Sequence, residues 1–216
     1  MKTRIKICCI SSKEEAKLAI EYGAHAVGLV GKMPSGPGPI PDELIADIVK
    51  TIPPAVSTFL LTSETNTKDV IAHHQKVLTN TIQMVDALES GEYKEIHEHI
   101  PGIKLVQVIH VLNDESLDEA LSAAEYADAL LLDSGNPNLA IKELGGTGRT
   151  HSWTISRRIV EQCGIPVFLA GGLNAMNVCE AIEFVQPFGV DLCTGVRSNG
   201  KLDKKKLEAF FKAVDN

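Results

Sequence analysis

Two side chains in this sequence stand where proton transfer could be carried out. Cys8 lies near the far end of the strand-like run Arg4-Ile5-Lys6-Ile7-Cys8-Cys9-Ile10. A thiolate there could serve as base or nucleophile once its pKa falls from the free value of about 8.5; without that help a cysteine is a small buried hydrophobe. Asp133 closes the otherwise apolar run Ala129-Leu130-Leu131-Leu132. A carboxylate in that place must be hydrogen-bonded by a rim or face a cavity, and we read it as facing a cavity. Asp191 stands inside another apolar run, between Val190 and Leu192, where it either orients sugar hydroxyls or makes a structural hydrogen bond to neighbouring loops. Lys6 and His110 are lesser candidates. The pairs His73, His74 and His97, His99 fall on expected outer helices and read as solvated side chains rather than a metal site. Trp153 reads as a packing anchor at the start of a helix.

A second chemistry, anion binding, is carried by glycines. The run Pro166 to Ala170 ends in Gly171-Gly172-Leu173-Asn174, and the run Val190 to Cys193 ends in Thr194-Gly195-Val196-Arg197. Each run is too short for a helix and lacks polar alternation, as in a strand buried on both faces. Glycines just past such ends let backbone N–H groups approach an anion closely. Asn174 is a good N-cap for a helix whose positive end would face the same point. A tight strand-to-helix turn would explain one such stretch equally well. Two in succession, at the positions where a β/α barrel builds its phosphate cup, favour the anion.

The elements that must hold these residues alternate in type. After the first strand, Ser11 to Glu15 offers two overlapping capping boxes, and the helix that follows is closed by Gly23. Strands are then expected over 26–30, 55–61, 81–85, 103–111, 129–133, 166–170 and 189–193. Helices are expected between and after them, over 41–49, 67–78, 92–99, 116–126, 153–163, 175–185 and 203–214. Strict alternation requires a parallel sheet with right-handed crossovers, and eight such units close most naturally into a barrel. The expected fold is therefore α/β, a single (β/α)8 TIM barrel spanning residues 1–216. The rival, an open doubly wound sheet, finds no GxGxxG after the first strand and no Walker A pattern. The longer loops Gly31 to Ile40 and Ser134 to Ser152 would lie on the C-terminal rim of the strands, where barrel active sites are built.

Composition narrows the function classes. With 216 residues, 44% hydrophobic and 23% charged, the chain is an ordinary globular protein, and a net charge of −7 argues against a nucleic-acid partner. No apolar run approaches the roughly 20 residues of a membrane span, and Met1 to Arg4 leads into a strand rather than a signal peptide's core. A cytoplasmic protein without a membrane partner is expected. Five cysteines, odd in number and mostly inside apolar segments, point to reduced thiols, and no Cys-x-x-Cys pair suggests zinc.

Lys6-Ile7-Cys8, Leu131-Leu132-Asp133-Ser134, Gly145-Gly146-Thr147-Gly148, Ala170 to Asn174 and Gly189-Val190-Asp191 through Thr194-Gly195-Val196 follow one family's order and spacing. Together they resemble phosphoribosylanthranilate isomerase, an enzyme of tryptophan biosynthesis, over nearly the whole chain. The resemblance implies the same barrel and a cofactor-free Amadori rearrangement of an N-linked phosphoribosyl aminoaldose to an aminoketose. It implies Cys8 as general base and Asp133 as general acid. The acid protonates the ribose ring oxygen, so that the ring opens to an iminium. The base then removes the C2′ proton to give an enolamine, which tautomerises to the ketone. A phosphate cup is implied at Gly171, Gly172, Thr194 and Gly195, helped by Gly146 and Thr147, with Asp191 near the sugar. The cup would hold one end of a flexible substrate while chemistry proceeds at the other. The implied partner is a phosphorylated small molecule, no cofactor or metal is expected, and the chain would be a monomer or a homodimer.

The departures cluster at the aglycone end. The family has Gly after the catalytic Cys, where this chain has Cys9. Its second loop carries an Arg near a Ser-Pro, whereas Gly31 to Ile40 offers only Lys32. Its fourth strand ends Gln-Leu-His-Gly, against Gln83-Met84-Val85-Asp86 here, and its sixth loop has Lys and Asp where Arg149 and Ser152 stand. An Arg–carboxylate pair is bidentate and charge-assisted, so its loss should weaken anthranilate recognition unless Lys32 compensates. Three functions fit: the isomerase with a divergent aglycone pocket, an isomerase of another phosphorylated aminosugar, or a non-catalytic binder of a phosphorylated metabolite. A pure binder has no need of the acid–base pair.

Overall fold

The computed structural model describes residues 2–136, 148 and 150–215. Strands β1 (Arg4–Ile7), β2 (Ala26–Val30), β3 (Ser57–Thr62), β4 (Thr81–Met84), β5 (Lys104–His110), β6 (Ala129–Asp133), β7 (Val167–Leu169) and β8 (Gly189–Leu192) pair in parallel in chain order, and β8 closes onto β1. Helices α1 (Lys13–Glu21), α2 (Asp42–Val49), α3 (Thr67–Val77), α4 (Tyr93–His99), α5 (Glu115–Ala123), α6 (Trp153–Gln162), α7 (Val178–Val185) and α8 (Lys204–Asp215) return the chain between them. The expected closed (β/α)8 barrel is what forms. Strands covered by helices outside and by one another inside bury both faces, which is why they read as unbroken apolar runs.

The strand pleat divides the core in two. Ile5, Ile7, Leu130, Leu132, Val190 and Leu192 point outward into the layer shared with the helices. Cys8, Val106, Val108, Leu131, Phe168 and Ala170 belong to the barrel interior. Each fully buried Ile or Leu contributes about 1.5–3 kcal/mol. The same parity puts Lys6 on the inward side with Cys8, and register makes Asp191 of β8 its neighbour.

Several local expectations are corrected. The first strand stops at Ile7 rather than Ile10, because Cys9 adopts φ +60°, a left-handed conformation that no strand contains. The seventh helix begins at Val178 instead of 175, and Asn174 does not cap it: its Oδ1 accepts the N–H of Met176 at 2.8 Å in a preceding turn. His73 and His74 are buried, not solvated. His73 bridges Thr62 Oγ1 and Asp42 Oδ1, and His74 Nε2 meets the Thr79 carbonyl at 2.7 Å. Trp153 packs against the outer core as expected. An unexpected hairpin, β9 (Arg197–Ser198) and β10 (Lys201–Leu202), turns at Asn199-Gly200, both at positive φ as a type I′ turn requires.

Candidate active site

The floor of the site is a buried ion pair. Lys6 Nζ, on β1, lies 3.0 Å from Asp191 Oδ1 on β8. Burial alone would depress the Lys6 ammonium, but the Asp191 charge, with those of Cys8 and Cys9 behind it, overrides this and pushes its pKa up to about 12. Burial pushes the Asp191 carboxyl up, and Lys6 pulls it back. The pair thus holds a cation fixed beneath the cavity, with the ammonium 5.1 Å from the Phe59 ring centre. Gly28 on β2 makes room for it. A Cβ there would stand 2.7 Å from Cys8 Sγ and 3.1 Å from Lys6 Nζ.

Above this floor, at the C-terminal ends of the strands, a cavity opens to solvent, and Cys8, Asp133 and Asp191 all line it. Asp133 ends β6, where burial pushes its carboxyl up to about 6. The N–H groups of Ser134 and Gly135 and the Lys6 charge pull it down, while Asp191 adds to the rise. Cys8 follows β1, its N–H donating to the Leu192 carbonyl at 2.7 Å. A hydrogen bond from the Cys9 thiol holds the Cys8 thiol below its usual pKa against the opposing effect of burial, with the Lys6 charge assisting. One cavity therefore holds a carboxyl that keeps its proton longer than usual and a thiol that gives its proton up sooner. That is the arrangement general acid–base chemistry needs.

The glycine-rich end divides into two roles. Gly171 and Gly172, at φ +81° and +66°, line the cavity with Thr194. The Gly172 carbonyl is turned away and held by the Asn174 and Asn177 side-chain amides at 3.2 and 3.1 Å. Gly195 sits behind them, in a single 3₁₀ turn (Thr194–Val196), where an added Cβ would collide with the Leu173 carbonyl oxygen. Its smallness locks the eighth loop onto the seventh. Gly146, Thr147 and Arg149 lie outside the described residues.

At the opposite end the cavity wall is Met33, Ser35, Gly36 and Pro37 of the second loop, with Val85 after β4. Lys32 is exposed and is not part of the wall; its carbonyl accepts the Ser63 hydroxyl at 3.1 Å. Among the described lining residues there is neither Arg nor Lys. His110, inward at the end of β5, meets the Val85 carbonyl at 3.3 Å and does not reach the wall. Among the described residues no group of three or more His, Cys, Asp or Glu could hold a metal ion.

Two residues that sequence reading missed support the site. Arg197 is buried and grips Glu15 at 3.0 and 3.1 Å while donating to the carbonyls of both Cys8 and Cys9. It fixes the backbone that carries the thiol. Glu15 also accepts the Ser11 N–H, and Ser12 Oγ accepts the Glu15 N–H, so the capping residues are tied to the active site. Gln83, buried on β4, lines the cavity with its Oε1 lacking a hydrogen-bond partner among the described residues.

Comparison with known proteins identifies the family. The family model for N-(5′-phosphoribosyl)anthranilate (PRA) isomerase matches residues 5–213. The N-(5′-phosphoribosyl)anthranilate isomerase of Methanosarcina acetivorans is 34% identical, over 99% of this chain and 94% of that protein. The phosphoribosyl anthranilate isomerase structure from Thermotoga maritima is 29% identical with a TM-score of 0.80, covering 99% of this chain and 98% of that one. A phosphoribosyl anthranilate isomerase solved in complex with reduced 1-(o-carboxyphenylamino)-1-deoxyribulose 5-phosphate is 28% identical with a TM-score of 0.78, covering the same shares. This chain belongs to the phosphoribosylanthranilate isomerase family.

Proposed function

We propose that the chain isomerises N-(5′-phosphoribosyl)anthranilate to the corresponding aminoketose, a step of tryptophan biosynthesis, with Asp133 as general acid and Cys8 as general base. The observation that carries this reading is that Asp133 and Cys8 line one cavity above the buried Lys6 ammonium, in surroundings that push the carboxyl up to about 6 and hold the thiol down. Asp133 donates its proton to the ribose ring oxygen as the C1′–O bond breaks, leaving an iminium. Cys8 thiolate then removes the C2′ proton, and the electron pair of that C–H bond forms the enolamine. The buried Lys6 ammonium stabilises the thiolate and the ionised Asp133 left behind. The phosphate rests at Gly171, Gly172 and Thr194, with Gly195 behind them and Gly146 and Thr147 completing the cup, while Asp191 faces the sugar. Fixing that end keeps the reacting carbons between acid and base.

A second reading of the aglycone rests on the cavity wall. With no Arg or Lys among the described lining residues and Lys32 exposed, an aminosugar without a carboxylated ring would suit the wall equally well. A continuous fluorescence assay with phosphoribosylanthranilate, paired with complementation of a tryptophan auxotroph, separates the two. Turnover and growth are expected. Neither, from a folded protein, would move the substrate to another phosphorylated aminosugar.

A further inference from the structure

The proposed mechanism uses one thiol of an adjacent pair and leaves the other unexplained. In extended backbone, neighbouring residues point to opposite faces, so a strand continuing through Cys9 would send its thiol away from Cys8. The left-handed φ of +60° at Cys9 breaks that alternation, and both thiols line the same cavity. L side chains adopt this conformation rarely. Here it is over-determined from two sides. Arg197 holds the carbonyls of Cys8 and Cys9 from below. The second loop closes from above, where only a glycine fits: Gly38, at φ +87°, would place a Cβ 2.6 Å from Cys9 Cβ and 3.1 Å from its Sγ. The Cys9 thiol is therefore confined to the cavity that Cys8 lines, where it donates to the Pro37 carbonyl at 3.6 Å.

We propose that Cys9 is a positioning residue for the base, its S–H donating to the Cys8 sulfur and strengthening that bond when Cys8 becomes a thiolate. This rests on the reading of Cys8 as general base. A neutral carbonyl at 3.6 Å is a weak acceptor for a thiol, whereas an adjacent thiolate makes a charge-assisted bond. The two thiols are shifted in opposite directions. Hydrogen bonding from Cys9 lowers Cys8, and bonds to Cys193 and Cys8, together with burial, push Cys9 well up. Cys9 thus keeps its own proton while Cys8 gives its proton up. The other groups facing the pair are Lys6 and Asp191 on the floor, Asp133 from β6, Cys193 after β8 and Arg197 behind.

The test separates conformation from hydrogen bonding. Cys9→Gly accepts the left-handed backbone without strain and removes the whole side chain, thiol included, while Cys9→Ser keeps a donor. Iodoacetamide modification of Cys8 is followed against pH, with the site assigned by fragment mass spectrometry. At pH 7, Cys9→Gly is expected to slow Cys8 alkylation roughly tenfold, with Cys9→Ser intermediate. The same Cys8 alkylation curve in Cys9→Gly as in wild type would overturn the proposal. Alkylation reads the thiol without turnover. A Cys8→Ser variant with undiminished activity would therefore defeat the base assignment, while the alkylation curve would still decide whether Cys9 governs the Cys8 thiol.

Discussion

The two ends of the cavity are made of different material. At the phosphate end the wall is backbone, set by Gly171, Gly172 and the turn at Thr194. At the opposite end it is side chains, Met33, Ser35, Pro37 and Val85. A backbone site depends on conformation, so it persists wherever glycines preserve the turn, whatever happens around it. A side-chain site depends on residue identity and can be rewritten one position at a time. The acid and base line the cavity between the two, above the Lys6–Asp191 floor. Changes to that central machinery should therefore be severe, and changes at the rewritten end mild.

The largest effect is expected for Cys8→Ser. An alcohol is a far weaker base than a thiol, and kcat should fall by about 10²–10⁴-fold without loss of fold. A kcat within a few-fold of wild type would move the base elsewhere. Next comes the floor. Lys6→Met leaves Asp191 buried and unpaired, and urea unfolding should show a loss of about 3–5 kcal/mol. A loss below about 1 kcal/mol would mean that water reaches Asp191 and that the pair does not act as a buried cation source.

A smaller effect has the opposite sign. The Asp133 carboxyl is raised from 3.8 to about 6 in the folded protein, so folding favours its protonated form. The stability this group contributes is full below about pH 4 and lost as pH rises through 6. At pH 8 the wild type carries a buried charge that Asp133→Asn does not, and the variant should be about 2–3 kcal/mol more stable, with the difference vanishing near pH 4. Equal stability at pH 8 would place Asp133 in a more solvated setting. The same groups bound activity: kcat/KM needs Asp133 protonated and Cys8 ionised at once, so it should pass through a maximum and fall at both lower and higher pH. The smallest effect is Lys32→Ala. With Lys32 exposed outside the wall, kcat/KM should change by less than about twofold. A tenfold rise in KM would show that the second loop closes over substrate and carries Lys32 in.

The sequence made the barrel legible because its strands are buried on both faces and its turns are marked by glycine. Asp133 and Asp191 stood out as charges in otherwise apolar runs. What escaped reading had other causes. His73 and His74 share the buried face of α3 with Val70 and Val77, and that spacing marked an inward stripe that residue type concealed. Asn199-Gly200 is a hairpin signal that was present and overlooked. The left-handed turn at Cys9 had no glycine to announce it. The Arg197–Glu15 bridge joins positions 182 residues apart, and no local pattern encodes it.

The central claim, that one carboxyl and one thiol in this cavity perform the isomerisation, is tested most directly by the turnover number of Asp133→Asn at saturating phosphoribosylanthranilate. An amide cannot protonate the ring oxygen, so the account predicts a folded protein that still binds the phosphorylated substrate and whose kcat is lower by at least about 10²-fold. An unchanged kcat would contradict it.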